Sequence, residues 1–221
     1  MQTRFYPIAL MLFLGTGLTP IYSTAQPVLV PDYTEVTDER LLNPEAHNWL
    51  SYRGTLDGWG FSRLNEIDDS NVQQLEPVWS FSTGVLGGHE APPIVNNGVM
   101  FVTTPGNLVY AIDAASGDLL WRYQHDLPET YIAFHRTNRG VALYGDKVYT
   151  ATLDARVVAL DASTGRKVWD STVQDNNFGY YITMAPLAID GKILVGTSGG
   201  ELGIRGFVVA LDAETGEEVW R

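Results

Sequence analysis

Residues 196–206, GTSGGELGIRG, place one carboxylate, Glu201, directly after the pair Gly199-Gly200. Glycine is used where backbone must take positive φ or let another group come close. An acid in such a turn is either a solvated turn residue or a ligand aimed at a metal or cofactor, and the stretch alone leaves both open. Two other spots carry comparable residue types: Arg139 in NRG (138–140) and Glu90 in GGHEAPP (87–93). A guanidinium fork matches a carboxylate in a bidentate way, yet an isolated arginine reads equally as a surface ion-pair partner. Glu90, close to Pro92 and Pro93, equally well ends a strand. His89 and His135 show no metal-ligand spacing, read as structural residues and are assigned to no metal.

The elements that must position these residues repeat along the chain. YAIDAASGDLLWR (110–122), VALDASTGRKVWD (158–170) and VALDAETGEEVWR (209–221) share one Ala, Asp, Gly, Trp frame. The aspartates stand at steps of 48 and 51 residues (113 to 161 to 212), with tryptophans at 121, 169 and 220. A looser relative, LEPVWSFSTG, sets Trp79 a further 42 residues upstream (79 to 121). Each unit reads as strand, tight turn, strand, with the Asp or Thr side chain bonding turn amides and the Gly at positive φ. A period of roughly 40 to 50 residues built from short strands is the mark of propeller blades. A β-sandwich with coincidental turns is the alternative. The tryptophan is too large for one hairpin and is expected to pack on the neighbouring blade. Asp113, Asp161 and Asp212 recur in every unit and are therefore turn residues, since a single active site needs only one such acid.

PIVNNGVMFVTT, GVALYGDKVYTATLD and PLAIDGKILVGTS read as hairpins. One helical turn is expected at DDSNVQQL (68–75), capped by Asp69 or Ser70, and residues 26–60 read as irregular. The units amount to about three to four blades. A propeller must close on itself, and the chain stops just after a blade tryptophan, so it is expected to be the N-terminal part of a longer protein.

Composition narrows the class. The 221 residues are 45% hydrophobic, with net charge −12 and no cysteine. Without a basic cluster, nucleic-acid binding is not expected. Residues 1–25 read as a signal peptide, with Arg4, the apolar run IALMLFLGTGL, and small Ser23 and Ala25 before the cut. That run is short for a bilayer span, so no stable membrane anchor is expected and the mature protein, from residue 26, is assigned to the periplasm.

The Ala-x-Asp-x-x-Thr-Gly-x-x-x-Trp units resemble the tryptophan-docking motifs of the PQQ-dependent quinoprotein alcohol dehydrogenases, the methanol/ethanol group. NWLSYRGTLDGWGFSRLNEIDDSNVQQLEPVWSFSTG (48–84) is similar to that family's N-terminal segment, and GGHEAPP, NRG and SGGELGIRG (198–206) resemble its cofactor and metal loops, in the same order. The resemblance implies an all-β, eight-bladed quinoprotein propeller of which residues 26–221 form the N-terminal part. It implies pyrroloquinoline quinone (PQQ) and calcium or a lanthanide as cofactors, an alcohol as substrate, and cytochrome c or a quinone as electron acceptor. A non-enzymatic envelope scaffold with the same tryptophan repeat is the alternative; such scaffolds lack these loops and carry a lipidated cysteine.

Carried over by position, Glu201 resembles the metal ligand, and Ser198, Gly199 and Gly200 resemble positions that bond the quinone. Thr183, in ITMAP, resembles another polar contact. Arg139 resembles the arginine that pairs a cofactor carboxylate or quinone oxygen, and Glu90 the acid at the other edge. On this reading the glycines let backbone amides reach the cofactor. Many relatives set two adjacent cysteines against the quinone. Those positions are Ala133 and Phe134 here, so Phe134, with His135 as the alternative, is expected to supply the flat contact. The family's catalytic base is an aspartate that no acid here matches, so no catalytic residue is assigned within this chain.

Overall fold

The computed structural model describes residues 29–30 and 33–221; the signal peptide expected at residues 1–25 lies outside them. Three four-stranded antiparallel meanders follow one another. The first contains β1 (Ile94–Asn96), β2 (Val99–Thr103), β3 (Leu108–Asp113) and β4 (Leu119–Gln124). The second contains β5 (Val141–Tyr144), β6 (Lys147–Ala151), β7 (Arg156–Asp161) and β8 (Lys167–Thr172). The third contains β9 (Leu187–Ile189), β10 (Lys192–Gly196), β11 (Val208–Asp212) and β12 (Glu218–Trp220). All three hairpins read from the sequence are present as β1–β2, β5–β6 and β9–β10. Two of them turn on Asn97-Gly98 and Asp190-Gly191, all four residues at positive φ, the backbone that a two-residue hairpin requires.

Burial shows how the sheets stack. Every residue of β6 is buried, because the second sheet is covered on both faces. In β2 and β10 buried and half-buried residues alternate, the signature of sheets covered on one face only. The core between sheets is built from Phe101, Tyr149, Leu160 and Ile193, all fully buried.

The repeated tryptophans join one sheet to the next. Trp121, at the edge of the first sheet, donates from Nε1 to the Ala162 carbonyl of the second at 2.9 Å. Trp169 donates to the Ala213 carbonyl of the third at 3.0 Å. Trp79, ahead of the first sheet, donates to the Ala114 carbonyl at 3.1 Å. Each ring lies on the turn glycine of the receiving sheet: a Cβ on Gly117, Gly165 or Gly216 would come within 2.8 Å of the indole. The turn itself is fixed by its aspartate. Asp113 accepts from the amides of Ala115 and Ser116, both at 2.9 Å, and Asp212 accepts from those of Glu214 and Thr215, both at 2.9 Å. These backbone donors hold both carboxyls below the usual range.

Two local expectations change. The helical turn near residue 70 is a 3₁₀ turn at Val72–Gln74 whose N-cap is Asn71, with no side-chain cap bond; the aspartate that folds back is Asp68, accepting from the Ser70 amide at 2.8 Å. Within the stretch read as irregular, Asp38–Leu42 forms α1. It is too short for a helical period to show in sequence. Thr37 caps it through the Arg40 amide at 3.3 Å. Asp38 then binds the Tyr144 hydroxyl and the Asp190 amide, both at 2.7 Å, tying together the turn ends of the second and third sheets.

No helix among the described residues is long and apolar enough to cross a membrane.

Candidate functional site

The aspartate turns and α1 occupy one end of the stacked sheets. Every residue picked out for chemistry lies at the other end, in the stretch before β1 and the β4–β5, β8–β9 and β10–β11 connections. Backbone bonds hold these connections together. The Arg139 amide donates to the Thr183 carbonyl at 3.0 Å, and Tyr181 and Ser198 exchange bonds of 3.3 and 2.7 Å.

Arg139 is at the centre. Its Nη1 donates to Thr183 Oγ1 at 2.7 Å, and its Nη2 pairs with Glu90 Oε2 at 3.0 Å. Thr183 Oγ1 in turn lies 3.3 Å from Ser198 Oγ. Thr183 is buried, whereas Arg139 and Glu90 keep 40% and 48% of their side chains exposed. The guanidinium is thus oriented by protein partners and still reachable from outside. Arg139, Thr183, Ser198, Gly199, Gly200 and Glu201 line one cleft of about 320 Å³, with Tyr181 and His135 completing it.

Glu201 sits in a 3₁₀ turn at Gly200–Leu202, exposed. Tyr181, a fully buried tyrosine that the sequence reading missed, points its hydroxyl at Glu201 Oε2 from 3.5 Å. Burial and the Glu201 charge push the Tyr181 phenol up, so it remains a proton donor. Nothing in YYITMAP marks which tyrosine turns inward. Among the described residues no group of three or more His, Cys, Asp and Glu gathers to hold a metal, so a cation at Glu201 needs further oxygen ligands.

The glycine pair has a mixed cause. Gly199 has φ of 120°, and a Cβ there would lie 2.1 Å from the Gly179 carbonyl oxygen. It is required by the contact between two loops, which differs from the cofactor-approach reading. Gly200 has open space where a Cβ would stand. Among the described residues, the amides of Gly200 and Glu201 donate to no protein acceptor.

Phe134 is 60% exposed and lines an adjoining cleft of about 410 Å³ with Leu86, Glu90, Tyr131 and His135. Among the described residues, only His135 borders both clefts. His89 bonds the Gly87 carbonyl and Thr83 Oγ1 at 3.0 and 3.1 Å, a local turn role.

Two asparagines hold these loops. Asn138 is buried: its Oδ1 accepts from Thr103 Oγ1 and the Gly140 amide at 2.8 and 2.9 Å, and its Nδ2 donates to the Ala151 carbonyl at 3.0 Å. It joins the first and second sheets directly beside Arg139. Asn176 grips Ile132 from both sides, accepting from its amide at 2.7 Å and donating to its carbonyl at 2.8 Å. Its amide also reaches the Leu153 and Tyr180 carbonyls.

Stacked four-stranded antiparallel sheets joined by tryptophans, with an arginine and a lone glutamate brought into one cleft by their connections, define a propeller-type β domain. Residues 49–221 match the family model for the PQQ glucose/ethanol/alcohol dehydrogenase β-propeller domain, and the chain belongs to that family. It is 39% identical over 220 residues to the quinohemoprotein alcohol dehydrogenase ADH-IIG of Pseudomonas putida, covering 97% of this chain and 30% of that protein. It is also 39% identical to the quinoprotein ethanol dehydrogenase of Pseudomonas putida, covering 96% and 34%. Among solved structures, that of ADH-IIG superposes with a TM-score of 0.80 at 40% identity, over 85% of this chain and 28% of that one. A europium-containing methanol dehydrogenase superposes at 0.78 with 38% identity, over 82% and 33%. The chain spans about a third of the length of these relatives.

Proposed function

We propose that the protein is the N-terminal part of a periplasmic PQQ-dependent dehydrogenase that oxidises alcohols with the help of calcium or a lanthanide. The observation that carries this is the cleft in which Arg139, Thr183 and Ser198 are linked beside Glu201, with Glu90 pairing Arg139 from the adjoining cleft, in a chain that belongs to a family of such dehydrogenases. The periplasmic assignment rests on the export-type residues 1–25.

The donor set suits the cofactor's chemistry. PQQ is flat and rimmed by carboxylates and quinone oxygens, and it supplies a two-electron acceptor for the alcohol while the cation acts as a Lewis acid. Arg139 would hold a rim oxygen, with Glu90 and Thr183 fixing the plane of its guanidinium. Ser198 Oγ and the unpartnered amides of Gly200 and Glu201 add neutral donors. Glu201 would bind the cation through the oxygen that Tyr181 leaves free. His135 and Tyr181 are the rings that border this cleft, and Phe134 lines the adjoining one. The base that takes the alcohol proton is not among these residues. Cytochrome c or a quinone is the proposed acceptor of the electrons, in keeping with relatives named quinohemoproteins.

The full-length protein, reconstituted with PQQ and calcium or a lanthanide, should reduce an artificial dye at the expense of an alcohol. Glu201→Ala and Arg139→Ala should each abolish this, and Arg139→Ala should also weaken PQQ uptake followed by its absorbance. Wild-type turnover in both variants would exclude the assignment.

A further inference from the structure

The cleft of about 410 Å³ beside the Arg139 site joins a free cation, an unmet donor and an apolar wall. The cation is Arg136. Its guanidinium lies over the Tyr131 ring, 5.5 Å from the centroid, and among the described residues it forms no ion pair. Stacking fixes the plane of a guanidinium and leaves the N–H groups at its edge available. The donor is Thr137, which lines the cleft next to Arg136. It is 7% exposed, and its Oγ1 is buried without a hydrogen-bond partner. A buried hydroxyl ordinarily has a partner, because leaving it unmet is costly. The apolar wall is Val85, Leu86 and Phe134, the last two 102% and 60% exposed. Both polar residues are carried by tethered backbone. Asn176 bonds the amide and carbonyl of Ile132, next to Tyr131. Asn138, next to Thr137, is buried and bonded to Thr103, Gly140 and Ala151.

We propose that this cleft is a binding subsite for a small organic carboxylate with an apolar body. Arg136 and Thr137 hold the carboxylate, and Val85, Leu86 and Phe134 cover the body. An arginine edge and a hydroxyl in one cleft match a planar group with two acceptor oxygens. A phosphate dianion fits poorly. Glu90 lines the same cleft, its charge answered by Arg139 at 3.0 Å, and the chain carries a net charge of −12, so a second negative charge meets repulsion with one free guanidinium to offset it. The apolar wall calls for hydrocarbon behind the anion. The subsite is separate from the cleft of Arg139 and Glu201, with which it shares His135 alone among the described residues, and it stands whether or not those residues hold PQQ. Two sources supply such a group: a free acid, or an alcohol substrate that carries a carboxylate at its far end.

The test titrates hexanoate into the full-length polypeptide, with and without PQQ, and follows binding by ligand-observed NMR. Saturable binding is expected in both states. Arg136→Gln should weaken it about 10- to 100-fold, the range for charge-assisted bonds. Thr137→Val keeps the shape and should weaken it about 2- to 10-fold with no fall in the unfolding midpoint, because the hydroxyl has no protein partner to lose. Tighter binding of ω-hydroxyhexanoate than of hexanoate to the PQQ-loaded protein, without an electron acceptor, assigns the subsite to a substrate; equal or weaker binding assigns it to a free acid. Absence of saturable binding, wild-type affinity in both variants, or displacement of hexanoate by PQQ would each overturn the proposal, the last by placing Arg136 in the cofactor's own site.

Discussion

Arg139 is bound to Thr183 twice, through its amide to the Thr183 carbonyl at 3.0 Å and through Nη1 to Thr183 Oγ1 at 2.7 Å. Backbone and side chain are therefore fixed by one residue on a different connection. The second guanidinium nitrogen is held by Glu90. Such an arginine presents its fork in one plane, with little ordering left to do on binding a flat anion.

Replacing that fork should show the effect. Arg139→Lys keeps the charge but cannot contact Thr183, Glu90 and a ligand together. PQQ affinity should fall about 10- to 100-fold, the loss of about 1.5–3 kcal/mol expected for charge-assisted bonds. Equilibrium titration of PQQ measures it; unchanged affinity would show that the fork geometry is idle.

Gly165 and Gly106 separate packing from backbone strain. Both have positive φ, 70° and 82°, but a Cβ meets Trp121 at 2.6 Å in the first and nothing in the second. Gly106→Ala should cost about 1–2 kcal/mol. Gly165→Ala should cost roughly 2–4 kcal/mol, because the indole must also move. Urea unfolding midpoints distinguish them, and equal losses would refute the docking role.

Acid sensitivity should trace to Asp154. Its carboxylate lies 3.0 Å from His125 Nε2, the two side chains 9% and 6% exposed. Burial opposes its charge, but the bonds from His125 and from Thr152 Oγ1 win and hold the carboxyl below its ordinary value. Unfolding thus takes up a proton as pH falls. The stabilisation is present above about pH 4, the unfolded value, and is lost as pH drops through the lower folded one. Asp154→Asn should lose about 2 kcal/mol at pH 7 and show a smaller further loss at pH 3 than the wild type. The same gap at both pH values would be the contrary result.

Asn176→Ala should free the loop that carries Phe134 and His135. Removing a side chain that bonds the Ile132 amide and carbonyl leaves residues 126–137 without their tether. Limited proteolysis within that loop should quicken while the free energy of global unfolding falls by no more than about 1–3 kcal/mol. Unaltered cleavage would mean that the loop is held elsewhere.

The blades were legible because their signal repeats. Asp113, Asp161 and Asp212 recur in one frame with a glycine and a tryptophan, and turn chemistry together with residue size dictates both the hairpin and the need for a neighbour. Arg139, Thr183, Ser198 and Glu201, singled out in separate stretches of the sequence, line one cleft. What stayed hidden depended on contacts between loops far apart in sequence. Gly199 is a glycine because of Gly179, Tyr181 matters through Glu201, and Asn138 and Asn176 act by bridging connections. None of these carries a local period or motif. Helix α1 was missed for the opposite reason: five residues fill little more than one turn, so no amphipathic stripe can develop.

The indoles of Trp121 and Trp169 are each supplied by one sheet and shelter the turn of its successor. Local opening in such an arrangement is directional: fraying β4 would bare the 161–165 turn, and fraying β8 the 212–216 turn, passing damage forward along the chain like falling dominoes. Only a closed circle removes the vulnerable first and last members of that series, which gives circularity a thermodynamic role apart from any chemistry at the axis.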